Sequence, residues 1–148
     1  MSGSRFRLAA VATTLTLLVA SCSTGGGVLS IDDAWARSSA GMQSAGVVYM
    51  TIVGGDQSDR LVSVSVSSDV AAMAELHESV MAEDGTMTMR AVSDVDIGSG
   101  STVLFEPGGL HVMLVQLVDP LEMGATFSLV LTFERAGDLT IEVEIRDD

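Results

Sequence analysis

The sequence predicts an all-β, antiparallel fold of the sandwich or Greek-key barrel class. Three observations carry that prediction. Apolar and polar residues alternate with period two in several segments after residue 29, the pattern of half-buried strands. Turn-forming clusters separate the apolar runs: Gly54-Gly55-Asp56, Glu83-Asp84-Gly85, Pro107-Gly108-Gly109 and Ala136-Gly137-Asp138. Short strands punctuated in this way suit sandwiches and barrels. Beyond residue 29 no stretch carries a convincing amphipathic-helix pattern. A chain of 148 residues holds one ordinary domain, not two.

The elements follow in chain order. Residues 34–37 and 47–53 are the first two candidate strands. In 60–67, Val62, Val64 and Val66 fall on one face. Residues 70–76 are Ala-rich and open to a helical turn after Asp69. Strands at 73–80 and 86–92 flank Asp84-Gly85 and form a hairpin. Strands at 102–105 and 112–117 flank Pro107-Gly108-Gly109. In 126–133, Phe127, Leu129, Leu131 and Phe133 share a face. In 139–145, Leu139, Ile141, Val143 and Ile145 point inward, with Thr140, Glu142 and Glu144 outward. The Gly137-Asp138 turn joins these last two strands as a second hairpin.

The first residues read as an address. Arg5 and Arg7 precede an apolar run from Leu8 to Ala20, interrupted only by Thr. That is a charged region followed by a hydrophobic stretch of signal-peptide length, too short to span a bilayer comfortably. Val19-Ala20-Ser21-Cys22 resembles the lipobox of bacterial lipoproteins, in which the Cys is lipidated and becomes the mature N-terminus. The expected organisation is a signal peptide over 1–21, a lipidated Cys22 and Gly-rich tether over 22–29, and a folded domain over 30–148. The protein is then extracytoplasmic and held at the cell membrane by its lipid.

Charge excludes several partners. All 7 basic residues are Arg, against 20 acidic ones, and the formal net charge is −13. Removing residues 1–21 leaves 5 Arg. Nucleic acid is not an expected partner, since phosphate binding needs clustered cations. The same balance disfavours electrostatic attachment to anionic lipid.

The chemistry-bearing residues are few. There are 2 His, 9 Met and 1 Cys. One Cys permits no internal disulfide and no thiolate cluster. His111-Val112-Met113 places an imidazole and a thioether on the same side of a strand. His77 precedes the Asp84-Gly85 hairpin; Met87 and Met89 follow it and share a face. Neutral imidazole and thioether donors together favour Cu(I) over Zn(II), Mg(II) or Ca(II). They also suit an oxidising compartment, where thiolates are lost to disulfides.

With these residues in view, the sequence resembles the PCuAC family of periplasmic Cu(A) chaperones, whose signature is H(M)-x10-M-x21-H-x-M. His77 is followed by Glu78, ten residues, Met89, 21 residues, then His111, Val112 and Met113. Glu75-Leu76-His77-Glu78, Thr86-Met87-Thr88-Met89-Arg90 and Pro107-Gly108-Gly109-Leu110-His111 also resemble the family's wording. Two departures are Glu78, where the signature often allows Met, and Ser38 after Trp35-Ala36-Arg37, where the family often has Pro. The resemblance covers roughly residues 30–145. It implies a cupredoxin-like Greek-key barrel that binds Cu(I) through His77, Met89, His111 and Met113. Met81 and Met87 lie outside the matching positions and are candidate auxiliary ligands. The implied role is copper delivery in the cell envelope, to the Cu(A) centre of cytochrome c oxidase or to another copper-handling protein.

Other classes fit less well. A copper storage or detoxification lipoprotein would use the same ligands. A non-metal envelope binding module would keep its Met in the core. A blue-copper electron carrier needs a Cys thiolate beside two His, and Cys22 belongs to the processing site. No triad-like motif, metalloprotease helix or phosphate-binding Gly loop suggests an enzyme.

Overall fold

A computed structural model describes residues 27–39, 41 and 44–147. Cys22 and the expected signal peptide lie outside the described residues. The described chain forms ten strands. In order they are β1 (Ser30–Arg37), β2 (Ala45–Val53), β3 (Asp59–Val66), β4 (Ala71–Met81) and β5 (Met87–Ala91), then β6 (Val95–Ile97), β7 (Thr102–Phe105), β8 (Leu110–Leu117), β9 (Thr126–Phe133) and β10 (Gly137–Arg146).

Their lateral order is β5-β4-β8-β7-β2-β1-β10-β9-β3-β6, and β2 also pairs directly with β8. This path folds over so that its two halves share one core. Ala36, Val48, Leu76, Val112 and Leu114 enter it from one half, and Leu61, Leu129, Leu131, Phe133 and Val143 from the other. The chain passes repeatedly between the halves, with local hairpins only at β1–β2, β4–β5 and β9–β10. The architecture is a cupredoxin-like Greek-key sandwich. Pairing is antiparallel except for β1 against β10 and a single contact between β7 and β8. The β1–β10 pairing joins the two ends of the domain.

Alternation works as expected in β9, where Phe127, Leu129, Leu131 and Phe133 are all buried. It fails in β3. Leu61 is fully buried and Val62 faces solvent, while Val64 returns to the core. The cause is a register shift against β9 between Leu61 and Ser63. A bulge inserts one residue and resets the parity of every side chain after it. Val62 therefore does not share its face with Val64.

Residues 70–76 form no helix. The N–H groups of Val70 and Ala71 both bond the Ser67 carbonyl, at 2.9 and 3.2 Å, which closes one turn. β4 starts at Ala71, because Ala71, Met73 and Ala74 pair with Leu117, Val115 and Leu114 of β8. That ladder overrides the mild helix preference of Ala.

Both predicted hairpins form. In β4–β5 the loop spans Glu83, Asp84 and Gly85, with Gly85 N–H bonded to the Ala82 carbonyl at 2.9 Å. Gly85 adopts φ +83°, where a side chain is strained. Asp84 Oδ1 accepts from Thr86 N and Oγ1 at 3.0 and 2.6 Å, and these bonds hold its carboxyl below the usual range.

Asp59 ties β3 to the β9–β10 turn. Its carboxylate accepts from the backbone N–H of Arg60, Arg135 and Ala136 at 2.7, 2.9 and 2.9 Å. Partial burial pushes this carboxyl up, but the three bonds and the nearby Arg135 outweigh it, and its pKa is lowered. A carboxylate stabilised in the folded state contributes stability above its unfolded pKa and loses it as pH falls through the depressed folded value. Asp59→Asn should lower the thermal midpoint at neutral pH by several degrees, corresponding to about 1 kcal/mol. The gap between variant and parent should close in acid below pH 4, as followed by circular dichroism melts across pH. A constant gap at all pH values would show that the charge is not responsible.

Candidate metal centre

The predicted ligands come from three adjacent strands, β5, β4 and β8. In the β4–β8 ladder His77 lies directly opposite His111, and Glu75 opposite Met113. In the β4–β5 ladder Ser79 lies opposite Met89, and Met81 opposite Met87. Alternation then places Glu75, His77, Ser79 and Met81 on one face with Met87, Met89, His111 and Met113. The opposite face carries Leu76, Val112 and Leu114 into the core. Core packing thus fixes the ladder, and the ladder presents the imidazoles and thioethers outward. On the core-side face Arg90 Nη2 bonds Glu78 Oε2 at 2.7 Å, bracing β5 against β4.

The two rings are tilted by 53° with centroids 5.9 Å apart. Both can reach one ion, given metal–nitrogen bonds of about 2.0 Å. His111 is buried, only 2% exposed, and most of His77 is covered as well. Met113 is half-buried, whereas Met89 is 62% exposed. The site therefore grades from a covered imidazole pair to an open thioether.

Hydrogen bonds set each ring's orientation. His111 Nδ1 lies 3.0 Å from the Gly109 carbonyl, which can only accept. His77 Nε2 lies 3.1 Å from Glu75 Oε2. In neutral rings these contacts place the protons on His111 Nδ1 and His77 Nε2. The other nitrogens, His77 Nδ1 and His111 Nε2, are buried and have no hydrogen-bond partner. A buried acceptor left unpaired costs about 1–3 kcal/mol. A shared electrophile would account for two such lone pairs on neighbouring rings, and carbonyl or carboxylate partners behind the rings are the usual support for metal-bound imidazoles. Among the described residues no group of three or more His, Cys, Asp or Glu is placed to hold a metal. An ion held at this face would draw on the thioethers beside the rings, and such a donor set would favour soft Cu(I).

Sequence reasoning missed the two orienting groups, Glu75 and the Gly109 carbonyl. Glu75 carried a signal, since it stands two residues before His77 and so shares its face. It also missed the aromatic wall. The Val47–Met113 pairing puts Tyr49 on the site's face, and Trp35 lies opposite Tyr49 with ring centroids 4.9 Å apart. Arg146 covers the Trp35 ring at 5.0 Å and bonds Asp33 at 2.9 Å. A cleft elsewhere, among Asp59, Arg60, Asp96 and Arg135, has no His or Met in its lining.

The LpqE-like family, described as "Putative lipoprotein LpqE-like", matches residues 29–145. The chain belongs to that family. A curated relative, "Putative lipoprotein Lxx21020" of Leifsonia xyli subsp. xyli (strain CTCB07), is 34% identical over 84 residues. The match covers 57% of this LpqE-like chain and about half, 51%, of that relative. Among solved structures, the copper-bound PCuAC domain from PmoF2 is 27% identical with a TM-score of 0.67, covering 83% of this chain and 96% of that one. The apo PCuAC domain from PmoF1 is 26% identical with a TM-score of 0.66, covering 83% and 97%. The Cu(I) form of DR1885 from Deinococcus radiodurans, 22% identical with a TM-score of 0.62, covers 86% and 84% and shares the fold. The His and Met spacing resembles PCuAC; the family matched is LpqE-like, and the link to PCuAC domains is structural similarity.

The hydrogen-bond pattern predicts a defined tautomer for each ring. Long-range proton–nitrogen NMR of the metal-free domain near pH 8 should show His111 protonated on Nδ1 and His77 on Nε2. Adding Cu(I) should shift His111 Nε2 and His77 Nδ1 most. The reverse tautomers would remove the geometric basis of the site.

Proposed function

We propose that this protein is an extracytoplasmic Cu(I) carrier that holds copper through His77, His111, Met89 and Met113 and delivers it within the cell envelope. The observation that carries the reading is the pair of unpartnered buried nitrogens, His77 Nδ1 and His111 Nε2, on facing rings beside thioethers. The similarity to a copper-bound PCuAC domain supports it. The four donors are neutral, so the loaded site keeps the single positive charge of Cu(I). Two covered imidazoles supply the firm part of the grip. Exposed Met89 is the donor that a partner's ligand can replace first, so the ion leaves by stepwise exchange. The reading is a carrier, not a catalyst, and its proposed client is the Cu(A) centre of cytochrome c oxidase. Lipidation of Cys22 would confine the carrier to the membrane surface, where such a client resides.

Titration with Cu(I) against a competing chelator should give one tight equivalent per mature domain. His111→Ala or Met113→Ala should weaken it by more than the roughly 10–100-fold that loss of an orienting partner costs. Saturation at 100 times Kd should stabilise the fold by about 2.7 kcal/mol. Unchanged affinity in both variants, with no thermal shift in the parent, would instead support a metal-free binding module.

The anchor has its own test. Cys22→Ser should move the protein from the membrane fraction to a soluble one, as followed by fractionation and immunoblotting. Retention in the membrane fraction would assign anchoring to something other than the lipid.

A further inference from the structure

The hairpin tip carries a second set of soft donors that the four-ligand site does not use. Met81 and Met87 face each other directly across β4 and β5. They are 70% and 54% exposed, so neither serves the core. Directly opposed residues on one face hold their Cβ atoms about 4.5–5.5 Å apart, within reach of one ion for two flexible thioethers. Met89 is their diagonal neighbour on β5 and is likewise exposed. Met73 makes a useful contrast. It is exposed on the same strand, but Val115 lies opposite it and supplies no second donor.

Spacing connects this set to the inner site. Met81 lies four residues from His77, about 13 Å along the strand, and Met89, opposite Ser79, stands midway. The frame is firm at both ends, with the Asp84–Thr86 bonds at the tip and the Arg90–Glu78 pair on the other face.

We infer that Met81, Met87 and Met89 form an outer, thioether-only Cu(I) site that shares Met89 with the His77–His111–Met113 set and serves as its point of entry. The inference rests on the carrier reading for its second half, the hand-over to the inner site. Copper captured at the tip stays bound to Met89 while Met81 and Met87 are exchanged for the imidazoles and Met113. Cu(I) remains Cu(I) throughout, and no electron or proton is required. An all-thioether site lacks the imidazoles and so holds the ion more weakly than the inner one.

The test uses the mature domain with methionine methyl groups labelled with carbon-13, and Cu(I) added anaerobically as its acetonitrile complex. The first equivalent should settle at the inner site. The second, drawing Met89 toward the tip, should shift the Met81 and Met87 methyl signals together and move that of Met89 a second time. Met81→Leu/Met87→Leu conserves side-chain volume at exposed positions. It should retain the first equivalent, lose the second, and load from a Cu(I)–chelator complex several-fold more slowly. Static Met81 and Met87 signals up to two equivalents, or wild-type loading by the double variant, would overturn the outer site. His111→Ala separates the two readings. If that change leaves the tight equivalent intact, the inner-site assignment fails, and the outer site still stands or falls on its own methyl signals.

Discussion

The register between β4 and β8 is the constraint on which the rest of the molecule depends. It pairs His77 with His111 on one face and, one residue on, Leu76 with Val112 on the other. A slip of β4 by one residue against β8 would turn His77 into the core, away from His111, and bring Leu76 into water. The apolar residues therefore do more than hold the sandwich together. Their burial is what keeps two nitrogen lone pairs facing outward on adjacent strands, at a cost that an isolated hairpin could not sustain.

The site is also graded by its distance from that core. β8 lies inside the sheet, flanked by β4 and by β2 and β7, and it carries the most buried donor, His111. β4 is one strand further out and carries His77, which is partly covered. β5 forms the edge, and all five of its residues are exposed. Firm and loose donors thus come from strand position alone. On the proposed carrier reading, the covered imidazoles would set where the ion sits, and the exposed thioethers at the edge would provide the route by which it is exchanged.

Much of this was legible in the sequence, for physical reasons that differ by element. Long strands with one wet face advertise themselves by alternation, and 126–133 agrees with β9 to the residue; the short 102–105, bounded by turn signals, also agrees with β7. β6 is three residues long, too short for a period to show. The β3 bulge cannot be seen in Leu61-Val62-Ser63, because the register shift is decided by the partner strand β9. The pairing of β1 with β10 joins residues more than a hundred apart and leaves no local trace. At the candidate site, residue types and spacing singled out four candidate donors, and their shared face follows from alternation within each strand and the ladder registers. The direct opposition of His77 and His111 is a tertiary fact, as is the Gly109 carbonyl behind His111. A carbonyl has no side-chain identity to read.

The separation of faces has a consequence for how such a domain can change over generations. Core and donors occupy alternate positions of the same strands, so a substitution at an outward position such as 81, 87 or 89 leaves the packed side intact. Proteins tolerate change where it does not erode a thin stability margin. On the proposed carrier reading, the edge hairpin is therefore the part of this domain where metal preference could be retuned in single steps, while the buried His111 is held in place by everything around it. Descendants of this fold should diverge first at the rim and last at the imidazole pair.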